Sequence, residues 1–130
     1  MKYQRMILLA ISLLATTCYE TKAQNIHKKN LTKKWKLSTY KYGKTHYKPS
    51  KQEQRDYILL KDDLTYVSLD KGKAATGKWK LNTNGKFIRL WNKKGESIRF
   101  FIQTLTLNRL VLKADLKDMR EIDIHYVSTK

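Results

Sequence analysis

From Leu31 onward apolar and polar positions alternate in short runs, and none shows the three-to-four-residue spacing of an amphipathic helix. Residues 34–42 set Trp35, Leu37 and Thr39 against Lys34, Lys36 and Ser38, which predicts a strand with one apolar face. Residues 56–60 and 64–69 are two β-rich runs joined at Lys61-Asp62-Asp63. Residues 76–81 and 86–91 flank Asn82-Thr83-Asn84-Gly85, where Asn-Gly supplies the positive φ that tight hairpins need. Residues 96–103, 109–114 and 119–127 follow further turns at 92–95, 106–108 and 115–118.

Eight strands in sequence, joined by tight turns, predict an all-β antiparallel meander. Strands so arranged usually close into a barrel, because closure hides the edges. The exception to tight turns is a basic loop over 43–54 containing Pro49, and residues 24–30 are expected to form a short lid or turn. Lys34-Trp35-Lys36-Leu37-Ser38-Thr39 recurs as Lys78-Trp79-Lys80-Leu81-Asn82-Thr83. The echo is compatible with two half-barrels or with chance among Lys-rich amphipathic strands.

Leu31-Thr32-Lys33-Lys34-Trp35-Lys36-Leu37, Asp63-Leu64-Thr65-Tyr66 and Gly77-Lys78-Trp79-Lys80-Leu81 together resemble the small exported lipocalin-like domains of bacteria. That resemblance implies a leading Gly-x-Trp strand, an Asp-Gly-Thr hairpin and a second Gly-x-Trp strand in mid-barrel. Lys33 stands where the first Gly is expected and Leu64 where the hairpin Gly is expected, whereas Gly77-Lys78-Trp79 keeps the full triplet. The family implies a barrel around an apolar cavity or a packed core, and no particular ligand.

The N-terminal segment reads as an address. Lys2 and Arg5 precede an apolar run over 6–15 and a polar stretch over 16–23, the order of a secretory signal peptide. The run is about half the ~20 residues of a permanent membrane helix. Cleavage after Ala23 divides the chain into a signal peptide, 1–23, and a barrel domain, 24–130. The alternative is a lipoprotein, lipidated at Cys18 and anchored to the membrane. With cleavage after Ala23 the remaining chain has no Cys, which suits a non-reducing compartment, periplasmic or secreted.

The chain of 130 residues suffices for one domain with a core, and its charge is +17; beyond residue 23 it is still +15. No acid falls between Glu20 and Glu53, or between Asp70 and Glu96. Lys33, Lys34, Lys36, Lys41, Lys44, Lys78 and Lys80 are therefore candidates for an anion-attracting surface. Tyr40, Tyr42 and Tyr47 lie among lysines like a stacking platform for nucleic acid. Export and the lack of a recognition motif argue against that partner and favour anionic lipid, lipopolysaccharide or acidic polysaccharide.

Enzyme chemistry has little support. His27, His46 and His125 are scattered, and no catalytic residue, metal ligand set or cofactor motif is assigned. Asp115, Asp118, Glu121 and Asp123 read as a solvated acidic edge, with His125 facing solvent. The aromatics carry more. Trp35, Tyr57, Trp79, Phe100 and Tyr126 are the candidate lining of a pocket at one mouth, although Ile58 and Leu60 compete with Tyr57 for the inner face. Two functions follow: a binding protein for a small apolar or amphipathic anionic ligand, or a filled barrel whose basic exterior docks on an envelope polymer, lipid or acidic protein.

Overall fold

The computed structural model describes residues 25–129; the expected signal peptide and Cys18 lie outside the described residues. The elements are a one-turn helix α1 (Lys28–Leu31), β1 (Lys34–Tyr42), β2 (Thr45–Tyr47), a 3-10 turn (Lys51–Glu53), β3 (Tyr57–Leu60), β4 (Thr65–Asp70), β5 (Lys73–Asn82), β6 (Phe87–Asn92), β7 (Ser97–Leu105), β8 (Arg109–Ala114) and β9 (Ile122–Ser128). Every neighbouring pair is antiparallel, and β1 pairs with both β3 and β9. Eight strands thus close as an up-and-down barrel, the architecture the alternating pattern predicts.

β2 is a ninth strand, placed where the sequence suggested only loop. Gly43 takes a φ of +61° and reverses the chain, so that Tyr40 pairs with Tyr47 and Tyr42 with Thr45. β5 begins at Lys73 rather than Thr76, because Lys71 and Gly72 both adopt positive φ and make a two-residue hairpin. In the next hairpin the positive φ falls on Lys86, not on Asn84-Gly85. Gly85 meets a different demand, since a Cβ there would sit 2.6 Å from the Phe87 ring.

Strict alternation also fails at two bulges. In β1, Leu37 pairs with Tyr126 but Thr39 pairs with His125, so Ser38 is an extra residue and the faces exchange. Tyr40, opposite Ile124, thereby joins the inner face in place of Thr39. A similar shift between Ile102 and Thr104 turns Leu105 inward, where it is buried. Both bulges increase strand curvature, which a small closed barrel needs.

Gly77 is fixed by packing. An added Cβ would lie 1.8 Å from the Trp91 carbonyl oxygen and 2.8 Å from the Tyr66 ring. Gly77 is paired with Tyr66, whose ring occupies the space that a side chain would need. Gly77→Ala is expected to cost about 3 kcal/mol or more, the range of severe overpacking. Lys86→Gly, at an exposed position with φ +54°, is expected to add about 1 kcal/mol by removing left-handed strain. Urea denaturation of both variants measures these opposite changes.

A candidate ligand cavity at the open end

The barrel interior is divided by height. At one end α1 seats Leu31 under the strands, and Trp35 and Trp79 are 0% and 1% exposed. Their indoles are satisfied locally: Trp35 Nε1 donates to the Leu31 carbonyl and Trp79 Nε1 to the Lys61 carbonyl, both at 2.9 Å. Leu60, Leu105 and Leu110 fill the remaining space. The two copies of the sequence echo therefore put equivalent tryptophans in the same packed layer. Of the expected lid over 24–30, the described residues 25–30 lie at this end, where helix α1 closes the barrel and Ile26 packs on the core.

The other end contains a cavity of about 310 Å³. It lies beneath the 3-10 turn, the β4–β5 hairpin and the β8–β9 loop, which contributes Leu116 and Met119. Leu90, Ile98, Phe100 and Ile124 form apolar walls, and Ala114 leaves room in one of them. Tyr40, Tyr66, Tyr126, Ser68, Asp56 and Asp70 bring polar groups to the same space. Adjoining it is a cleft lined by Tyr40, Tyr42, Tyr47, Glu53, Met119 and Ile122. The three tyrosines suggested as a nucleic-acid platform thus share one face over this mouth, because the bulge turns Tyr40 and Tyr42 together and pairing sets Tyr47 opposite Tyr40.

Of the aromatic residues singled out by sequence, Phe100 and Tyr126 border the cavity. Tyr57 also borders it, but its ring belongs to the outer face. Ile58 and Leu60 take the buried positions, Tyr57 pairs with Lys36, and the Lys34 ammonium lies 4.3 Å from its centroid. Trp35 and Trp79 do not line the cavity; they are consumed by packing at the closed end. Alternation reveals which face a side chain takes but not its depth along the barrel axis. Tyr40, expected only in the tyrosine platform, borders the cavity because the bulge moves it to the inner face. Asp56 shares a face with Ile58 and Leu60, and Asp70 with Tyr66, so period-two spacing did carry a signal for both acids.

Each acid at this end has a distinct environment. Asp56 is buried, and its Oδ1 accepts the Lys71 backbone N–H at 2.8 Å. Burial, with the carboxylates of Asp70 and Glu53 nearby, pushes its carboxyl above the usual range. The Tyr40 hydroxyl donates to Glu53 Oε2 at 2.5 Å, and the Ser50 N–H donates to Oε1 at 3.1 Å. The tyrosine bond in particular holds Glu53 below its ordinary value. Tyr126 and Tyr66 are 8% and 6% exposed, and burial raises both phenols. Neither hydroxyl has a hydrogen-bond partner among the described residues.

The supposed acidic edge is not uniformly solvated. Asp115 accepts from Arg99 at 2.6 and 3.1 Å and from Arg120 at 3.1 Å, tying down the loop that carries Leu116 and Met119. Asp123 pairs with Lys113 across β8 and β9 at 3.3 Å. His125 does point outward, but it is half-buried against His46, with ring centroids 5.4 Å apart, instead of facing open solvent.

The lysines divide as well. Lys33 is half-buried, its ammonium bonded to the Leu107 carbonyl at 2.8 Å and lying 5.3 Å from the Trp35 centroid. Lys41 is also half-buried, while Lys34, Lys36, Lys44, Lys78 and Lys80 are exposed. Lys80 faces Arg89 across the sheet and Arg89 faces Arg99, among Phe87, Trp91 and Phe101 on the outer wall. Among the described residues no group of three or more His, Cys, Asp or Glu side chains could hold a metal ion. Nor is any described helix long and apolar enough to cross a membrane, which says nothing of a β-barrel.

A family profile described as a lipocalin-like domain matches residues 31–112. Among solved structures, the crystal structure of a DUF4847 family protein from Bacteroides vulgatus is similar, with a TM-score of 0.51 and 14% identity. That match covers 75% of this chain and 92% of the other, and at such low identity it bears on the fold alone. No curated protein matches this sequence.

Asp115 and Asp56 are expected to titrate on opposite sides of the ordinary Asp value of about 3.9. Arg99, then Arg120, depresses the Asp115 pKa, so its stabilisation is full above that value and is lost as pH falls through the lowered pKa. The raised Asp56 pKa has the reverse sign, and deprotonation of that group opposes folding as pH rises through it. Carboxyl carbon shifts followed by NMR check the order, and Arg99→Gln should move the Asp115 midpoint upward without moving that of Asp56.

Proposed function

The chain belongs to the lipocalin-like domain family, and from that premise we propose that it is a non-enzymatic binding protein that holds a small, largely apolar ligand in the open-end cavity. The cavity itself carries this reading. A barrel of eight strands can fill its interior completely with side chains. Here the tryptophan layer fills one end, while the other keeps about 310 Å³ between Leu90, Ile98, Phe100 and Ile124. That volume suits a small ligand with an apolar body, at the lower end of ligand sites. The sequence-based expectation of an anionic head group finds no complement inside, because the lining includes Asp56 and Asp70 and, among the described residues, no Lys, Arg or His.

A second reading rests on the outer wall. Arg89 lies 5.9 Å from the centroids of both Phe87 and Trp91, and Arg99 lies 5.3 Å from Phe87 and 5.6 Å from Phe101. With Lys78 and Lys80 beside them, this ladder favours docking on an anionic polysaccharide or lipopolysaccharide. The aromatic faces would contact sugar rings and the cations would meet acidic groups.

Calorimetric titration with octanol separates the readings. Binding is expected for the wild-type barrel, loss for Ala114→Leu, which fills the cavity, and retention for Trp79→Phe, whose site lies outside it. Failure of octanol to bind, or indifference to Ala114→Leu, would overturn the cavity reading. Binding of an acidic oligosaccharide only at low salt, lost in Arg89→Gln, would establish the second instead.

The same proposal sets the protein outside the cytoplasm, with residues 1–23 as its export signal; the order of Lys2, Arg5 and the apolar run supports it. Intact mass of the processed protein is expected to correspond to a chain beginning at Gln24. A lipid-modified chain beginning at Cys18 would identify the anchored alternative.

A further inference from the structure

Resting on the cavity reading above, we propose that the ligand carries a cationic head, a protonated or quaternary amine on an apolar body, held at the mouth between carboxylates and tyrosine rings.

The overall charge of +17 would suggest the reverse, but it describes the exterior. In salt near 0.15 M, exposed charges are screened beyond about 8 Å. A ligand inside a partly enclosed cavity therefore responds to the groups that line it. Those groups are acidic. Asp56 is 6% exposed and Asp70 stands at the mouth, near enough for its charge to affect Asp56 and Tyr126. Glu53 borders the adjoining cleft. Lys71 on the β4–β5 turn acts on these acids from outside the cavity lining; its backbone N–H binds Asp56, and its side-chain charge acts on Glu53. Among the described residues no Lys, Arg or His borders either space.

A carboxylate pair alone would not define a binding site. The tyrosines supply the independent observation. Tyr126 is more than nine-tenths buried, borders the cavity, and leaves its hydroxyl without a partner among the described residues. Tyr66, similarly buried and bordering the same cavity from β4, does likewise. Both hydroxyl oxygens stay accessible although the rings are buried, so each is free to meet a polar group placed in the cavity. A bound ammonium N–H could donate to either oxygen, and a quaternary ammonium could lie against the rings. Tyr40, Tyr42 and Tyr47 line the approach, and aromatic faces attract cations through their quadrupoles. Like-charged carboxylates near one another also gain from a cation set between them. An anionic ligand would meet repulsion from every charged group on the wall.

The test is calorimetric titration of the barrel at about pH 7 and 0.15 M salt with octylammonium, octanol and octanoate, which share one tail. Octylammonium is expected to bind about tenfold tighter than octanol, the scale of one charge-assisted hydrogen bond, with octanoate weakest. Asp56→Asn retains an acceptor for the Lys71 N–H and preserves the fold; Asp70→Asn alters an exposed position. Each is expected to lower octylammonium affinity about tenfold and octanol affinity by much less. Octanoate binding as tightly as octylammonium, or ammonium binding indifferent to both substitutions, would overturn the proposal. Octanol binding without head-group preference would leave the cavity reading standing and remove only this inference. Failure of all three probes would remove both.

Discussion

Two indoles occupy one end of an eight-stranded barrel whose interior is barely wide enough for its own side chains. Each indole N–H finds a backbone carbonyl within its own end of the barrel, at Leu31 and at Lys61. A large aromatic can then be buried completely without leaving a polar group unpaired. Helix α1 and the β3–β4 turn are held against the core by the same two bonds. Once the bulkiest side chains lie at that end, the opposite end keeps smaller or polar residues and the space between them.

The consequence runs through the chain in small steps. Gly77 admits the Tyr66 ring beside β5, and the bulge at Ser38 turns Tyr40 inward. Asp56 receives the Lys71 N–H and ties the start of β3 to the β4–β5 hairpin. Asp115 gathers Arg99 and Arg120 and fixes the loop above the cavity. The open end is therefore assembled from polar anchors, while the closed end is assembled from apolar packing. That difference gives one barrel a packed half and a half that keeps a cavity.

Much of this was legible in the residues. Alternation and turn chemistry placed all eight barrel strands and the meander, since both are local properties. Closure was legible from the cost of exposed edges. Depth was not, because the height of a side chain depends on strand tilt and stagger set by all the strands together. Trp35 and Trp79 are thus on the inside, as alternation indicates, but at the packed end and away from the cavity. Asp56 and Asp70 lie far apart in sequence, and only the register of β3 with β4 brings them together at one end. Their spacing from Ile58 and Tyr66 nevertheless put both acids on inner faces.

The account turns on where a ligand sits, and a proton–nitrogen NMR spectrum titrated with octylammonium answers that most directly. The indole N–H signals of Trp35 and Trp79 should stay fixed, while backbone amides of Tyr40, Asp56, Ser68, Asp70 and Tyr126 move and saturate together. Shifts centred on the two indoles, or spread over Lys78, Lys80 and Arg89 on the outer wall, would contradict it.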